Sequence, residues 1–234
     1  MRKVMKAFGL AEWGFDELAI ATLACGALSA GLCVGAGYFA PGLPALRWIS
    51  LLPLIPWLIV LQFFRDPDRT APDGDPATRM LSPADGTVTD ITEMDEPSYL
   101  GTRAVRVGIF LSPFNVHVNR VPCTGMTMHV KFKAGEFLPA YDPQAPTRNE
   151  SLELGLLTPQ GMKVMVKQIT GVLARRIICD AHEGQVYQSG ERYGMIKFGS
   201  RTELYVPLEA GYQVKVQVGD KVVGGQTVLS VKQN

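Results

Sequence analysis

The chain has 234 residues, 47% of them hydrophobic, and 23 Lys and Arg against 22 Asp and Glu give a net charge of +1. This length suffices for one catalytic domain with a full core plus an appendage. Near-neutral charge without long basic blocks excludes the broad electrostatic footprint of a nucleic-acid binder. Cys25 and Cys33 lie inside an apolar run, while Cys123 and Cys179 stand alone. No pair has the close spacing of a metal knuckle or redox motif, so all four read as reduced and structural. His117, His129 and His182 are scattered without an HExxH-like pattern, and the expected chemistry is free of metal.

From Leu18 to Ala40 run 23 uncharged residues; Pro41, Gly42 and Pro44 follow, and then 17 more uncharged residues from Trp48 to Phe64. About 20 apolar residues span a bilayer as a helix, so the first run is adequate and the second, which carries Pro53 and Pro56, is marginal. A cleaved signal peptide fits poorly, because the run starts late, after Glu12, Asp16 and Glu17, and a second apolar run follows at once. Residues 1–65 are therefore expected to form a helical membrane hairpin. Arg2, Lys3 and Lys6 before it and Arg65 and Arg69 after it place both ends, and the remaining domain, on the cytoplasmic face of the cell membrane.

Residues 66–78 are polar and rich in turn formers, as a linker should be. A soluble domain over 79–234 is expected to be mainly β. Its alternations are Val105, Val107 and Ile109; Met128, Val130 and Phe132; and Val214, Val216 and Val218. On the second of these strands His129 shares the solvated face with Thr127 and Lys131, and His182, beside Glu183 and Gly184, falls in a turn. Gly184–Gly190 and Gly219–Gly225 echo each other with glycines six apart, each a strand-turn-strand unit. The second resembles the turn of lipoyl or biotinyl carrier domains, and Pro83-Ala-Asp-Gly-Thr-Val88 resembles their strand entry. No Met-Lys-Met acceptor accompanies them. The expected fold is a β-rich barrel or sandwich hybrid with lipoyl-like elements, without a carrier's function.

Lys197-Phe-Gly-Ser-Arg201 lies before the strand-like Leu204-Tyr-Val206. Taken alone, the Gly-Ser pair is an ordinary turn. It also suits self-processing, since glycine has no Cβ and lets the Ser200 hydroxyl approach the Gly199 carbonyl. A serine hydroxyl needs a nearby base, and the tetrahedral intermediate needs donors. Asp85 and His117 are the candidates, because a carboxylate orienting an imidazole is a recurring way to activate serine.

Five motifs in order, Phe63-Phe-Arg-Asp-Pro67, Ser82-Pro-Ala-Asp-Gly86, Phe110-Leu-Ser-Pro-Phe-Asn-Val-His-Val-Asn-Arg120, Ala174-Arg-Arg176 and Phe198-Gly-Ser-Arg201, resemble the short form of phosphatidylserine decarboxylase. The resemblance implies a zymogen that cleaves itself between Gly199 and Ser200 into a β chain, 1–199, and an α chain, 200–234, which remain together as a heterodimer. It also implies that Ser200 becomes a catalytic pyruvoyl group. This group forms a Schiff base with phosphatidylserine in the membrane and serves as electron sink in place of pyridoxal phosphate, so phosphatidylethanolamine and carbon dioxide result. Asp85 and His117 match the family's self-cleavage residues, with His117 the leading candidate for proton transfer. Longer bacterial relatives have a second histidine where this chain has Arg120, and Leu-Gly-Ser-Thr where it has Phe198-Gly-Ser-Arg201. The other readings are decarboxylation of a related serine phospholipid and a membrane-tethered, lipoyl-like adaptor without catalysis. A homo-oligomer is left open.

Overall fold

The computed structural model describes residues 2–39, 41–42, 44–172, 176–197 and 200–233. It is strand-rich, 38% strand against 26% helix, as the alternating patterns require. The chain divides into two compact units, 1–67 and 68–234.

The first unit contains helices α1 (Arg2–Ala7), α2 (Phe15–Phe39) and α3 (Leu54–Phe63), with a 3-10 stretch over Pro44–Leu51. Glu12–Phe39 and Ala45–Phe63 are each long and apolar enough to cross a membrane. Ile20, Leu23, Val34, Ile55 and Ile59 are exposed, so the apolar surface is turned outward and not consumed in a core. The second span is part 3-10 and part α, divided at Pro53, the N-cap of α3; Pro56 falls in the first turn of α3, where no amide donor is required. At about 2.0 and 1.5 Å per residue these two parts reach roughly 30 Å, the thickness of a bilayer's hydrocarbon core. The two spans form a hairpin. Trp57 Nε1 donates to Thr22 Oγ1 at 2.9 Å, and at the open end Ala11 N donates to Phe64 O at 2.7 Å and Asp66 N to Gly9 O at 2.6 Å.

The second unit carries strands β1 (Arg79–Leu81), β2 (Gly86–Glu96), β3 (Thr102–Leu111), β4 (Val118–Arg120), β5 (Gly125–Lys133), β6 (Ser151–Leu157) and β7 (Lys163–Ile169). A short helix, α4 (Ala145–Arg148), precedes β6. There follow β8 (Arg176–Cys179), β9 (Val186–Tyr187), β10 (Arg192–Lys197), β11 (Ser200–Pro207), β12 (Tyr212–Val214), β13 (Lys221–Val222) and β14 (Val228–Lys232). A curled half-barrel sheet of eight strands runs in the order β13-β2-β3-β11-β7-β6-β5-β9, and two three-stranded sheets, β1-β14-β12 and β4-β10-β8, complete the unit. Val88, Val107, Ile109, Leu154, Val166 and Leu204 fill the core inside the curl.

The β3 alternation is realised, with Val107 and Ile109 buried. On β5 the expected faces hold in part: Val130 packs against the core and Lys131 is exposed, but Thr127 is buried and Met128 and Phe132 are exposed. A bulge between Thr127 and His129 shifts the pairing with β6, so Thr127 before it and Val130 after it, opposite Leu156 and Leu154, both turn inward. His129 consequently stacks on Tyr99, with ring centroids 5.3 Å apart, and lies 3.4 Å from Glu153 Oε2. The strand expected through Val218 ends at Val214, and Val218 is exposed.

The two echoed glycine turns meet each other. Gly190 and Gly225 both hold positive φ, 85° and 73°, and a Cβ on Gly190 would stand 3.6 Å from the Gly225 carbonyl oxygen. Arg120 lies against both turns, donating to Gly190 O at 3.0 Å, with its Cδ 2.8 Å from where a Cβ on Gly225 would be.

Candidate active site

Ser200 opens β11, a strand buried along its whole length at the centre of the large sheet, paired with β3 through Ser200↔Leu111 and with β7 through Arg201↔Ile169. Phe198, Gly199, Ala174 and Arg175 lie outside the described residues. β10, which ends at Lys197, belongs to a different sheet from β11. Ser200 is fully buried, and among the described residues its Oγ has no hydrogen-bond partner. Leaving a buried hydroxyl unsatisfied costs about 1–3 kcal/mol, so the position is poorly explained by packing alone.

Two of the other four motifs meet at the start of its strand. Asn119 Nδ2 reaches Thr202 Oγ1 at 3.3 Å and Pro83 O at 3.4 Å, while Arg120 N donates to Pro83 O at 2.9 Å. The Ser82–Gly86 turn, the segment His117–Arg120 and the start of β11 are thereby joined. Gln168 Nε2 donates to Asn119 Oδ1 at 2.7 Å, fixing that amide so that its Nδ2 faces the serine-bearing strand. Gln168 pairs directly with Thr202, and its Oε1 is a second buried atom without a partner among the described residues. Asn119 lies inside the Phe110–Arg120 motif without a role of its own legible there, and Gln168 carried no signal, because a buried amide network depends on distant strands.

His117 is fully buried, and its carbonyl accepts from Ile196 N at 3.3 Å, which sets it beside the approach to Ser200. Its Nδ1 lies 3.0 Å from Asn115 O. A carbonyl only accepts, so in the neutral ring Nδ1 carries the hydrogen and Nε2 is the basic nitrogen.

The sequence pointed to Asp85 as the group that orients this imidazole, and the geometry differs. Asp85 is held by both Arg69 Nη atoms, at 2.5 and 2.8 Å, and by Gly224 N at 2.8 Å. Arg69 Nη1 also donates to Gly224 O at 2.7 Å. Nδ1 of His117 is oriented by its own loop instead. Arg69, which from sequence reads as a charge flanking a membrane segment, is buried as the partner of Asp85, with 6% of its side chain exposed. Its sequence signal was limited to a basic residue in a turn-rich segment ahead of the Ser-Pro-Ala-Asp-Gly turn.

Below β11 lies a charged network. Arg201 Nε donates to Glu203 Oε1 at 2.8 Å, Nη1 to Thr89 Oγ1 at 2.8 Å and Nη2 to Asp90 Oδ2 at 2.6 Å. Arg106 donates to Asp90 Oδ1 at 2.9 Å, and Tyr205 OH to Glu203 Oε2 at 2.6 Å. Burial alone would raise the Asp90 carboxyl, but the charge and hydrogen bond of Arg201, helped by Thr89 and Arg106, hold it below its ordinary value. Burial and the adjacent Glu203 carboxylate push the Tyr205 hydroxyl up, so it stays protonated as a donor.

Residues 58–230 match the family model for phosphatidylserine decarboxylase. The phosphatidylserine decarboxylase proenzyme of Salinibacter ruber is 46% identical over 170 residues, 73% of this chain and 74% of that one. Those of Carboxydothermus hydrogenoformans and Rhodopirellula baltica are 45% and 42% identical, covering 78% and 93% of this chain and 84% and 85% of theirs. A membrane-tethered adaptor without catalysis is not what these relatives are. The likeness over most of the chain, with the buried serine and the motifs gathered round it, makes this chain a member of the phosphatidylserine decarboxylase family, lyases that convert phosphatidylserine to phosphatidylethanolamine.

Proposed function

We propose that the chain matures by cutting itself between Gly199 and Ser200, and that the resulting β chain, 1–199, and α chain, 200–234, act as a heterodimer whose pyruvoyl group derives from Ser200. The observation that carries this reading is the fully buried Ser200 Oγ, without a partner among the described residues, at the end of a central strand. The proenzyme names of the relatives agree with it.

His117 Nε2 takes the proton as Ser200 Oγ attacks the Gly199 carbonyl carbon; the C–N bond then breaks and an ester replaces the peptide. Loss of the Ser200 α-hydrogen expels residue 199 as a carboxylate, and hydrolysis at the former Ser200 nitrogen releases ammonia. The pyruvoyl group, once present, supplies an electron sink for the bond to the departing carbon dioxide. Asn119 supports the strand that carries residue 200, and His117 is placed to return a proton to the substrate. Asp85 contributes by fixing the Ser82–Gly86 turn, and with Arg69 it grips the Gly224 peptide, which belongs to the α chain after the cut. β11 lies between β3 and β7 of the larger fragment, and β13 and β14 pair with its strands β2 and β1, so the pieces stay associated. The apolar hairpin tethers the enzyme to the cytoplasmic face of the membrane, where the insoluble substrate arrives by lateral diffusion.

Denaturing electrophoresis of purified protein tests the reading. Wild type should give two fragments, the small one blocked to Edman degradation, and Ser200→Ala a single intact chain; an intact wild type that releases carbon dioxide from phosphatidylserine would contradict it.

A further inference from the structure

Cutting before Ser200 turns an internal strand residue into a chain terminus. Terminal residues of strands fray unless tied down, and here the first residue would carry the reacting carbonyl. The residue immediately after it is held more firmly than a strand ladder requires. All three guanidinium nitrogens of Arg201 donate, and two of them, to Thr89 and Asp90, reach residues of the other fragment. Arg201 and Glu203 are buried and their charges are balanced by Asp90 and Arg106, so the arrangement is neutral as a group. Room for it is made by Gly108 on β3: a Cβ there would lie 2.0 Å from Arg201 Nη2 and 2.5 Å from Asp90 Oδ2.

We infer that Arg201 is a positioning residue for decarboxylation: its bonds to Asp90, Thr89 and Glu203 clamp the new N-terminus of the α chain and keep residue 200 in register after the cut. This rests on the maturation proposed above. Before cleavage the continuous chain shares the task; afterwards the clamp and the neighbouring strands carry it alone. Alternation along β11 places Ser200 and Thr202 on the face opposite Arg201, so the clamp acts through the backbone without touching substrate.

The test uses the full chain in detergent with Arg201→Met and Arg201→Lys, each made also in a Ser200→Ala background that cannot be cut. Fragment content is read by electrophoresis, kcat and KM with phosphatidylserine in mixed micelles, and backbone mobility by hydrogen exchange of peptides from 200–207. The inference predicts that Arg201→Met is still cut and keeps its KM. Its kcat should fall by roughly 10- to 100-fold, the range expected for lost charge-assisted hydrogen bonds. Arg201→Lys should recover part of this, and exchange should quicken in the cut protein but not in the uncut one. Wild-type kcat in cut Arg201→Met, or equally quickened exchange in both backgrounds, would overturn it. Should Arg201→Met fail to fold, Thr89→Val, which removes one donor's partner and no charge, is held to the same outcomes with a smaller drop in kcat. An uncut wild type would overturn the maturation itself and this inference with it.

Discussion

Arg69→Met keeps the aliphatic stem of Arg69 and deletes its guanidinium, leaving the Asp85 carboxylate with Gly224 N–H as its remaining donor. That carboxylate is 12% exposed, so water replaces little of what is lost. Removing one partner of a buried ion pair costs about 3–5 kcal/mol, and the surviving N–H bond sets the expectation at the lower end, about 3 kcal/mol. For a domain of this size each kcal/mol moves the unfolding temperature by about 2–4 °C, so a fall of roughly 6–12 °C is expected. Adding Asp85→Asn removes the uncompensated charge and should restore much of the loss, a coupling that a double-mutant cycle measures. Calorimetry is the appropriate assay, because Trp13, Trp48 and Trp57 all lie in the N-terminal unit and their fluorescence reports the hairpin. The Ser200→Ala background keeps every variant a single chain. If Arg69→Met unfolds at the parent's temperature, the buried pair is not what holds the Ser82–Gly86 turn to the Gly224 turn.

Two further outcomes follow from the electrostatics. Burial pushes the Cys123 thiol up to about 12 and the Cys179 thiol up to about 11, so neither forms thiolate at neutral pH; both should resist iodoacetamide in the folded protein and react once it is unfolded, as peptide mapping will record. Glu96 is raised by burial but lowered more by the Ser98 hydroxyl and the N–H groups of Leu100, Tyr99 and Ser98, and Asp90 is likewise held low. Depressed carboxyls bind protons more readily in the unfolded chain, so their stabilisation is full above the ordinary value of about 4 and is lost as pH falls through the lower folded values. Glu150, raised by burial, works in the opposite sense across the same interval. The urea midpoint should therefore decline from pH 6 to pH 3, and Glu96→Gln should flatten that decline.

Much of the fold was legible because strands with one buried face write their period into the sequence, as on β3. It failed in part on β5, where a bulge turns Thr127 inward ahead of Val130 and where Met128 and Phe132 are exposed. β11 escaped the pattern in another way: its Ser-Arg-Thr-Glu opening reads as surface, yet each residue is buried because the charges are paired across three strands. The position of the candidate nucleophile was readable from the ordered motifs, and His117 does sit beside the strand leading to it. The partners were not. Asp85 lies 16 residues from Arg69 and 139 from Gly224, and no local signal distinguishes a carboxylate so engaged from one that orients a histidine.

Intact-mass analysis of a preparation active on phosphatidylserine tests the central claim most directly. Two fragments are predicted, one ending at residue 199 and the other beginning at residue 200, the smaller lighter by one ammonia than a serine-initiated peptide of the same sequence. Active material consisting of one uncut chain with its full mass would contradict it.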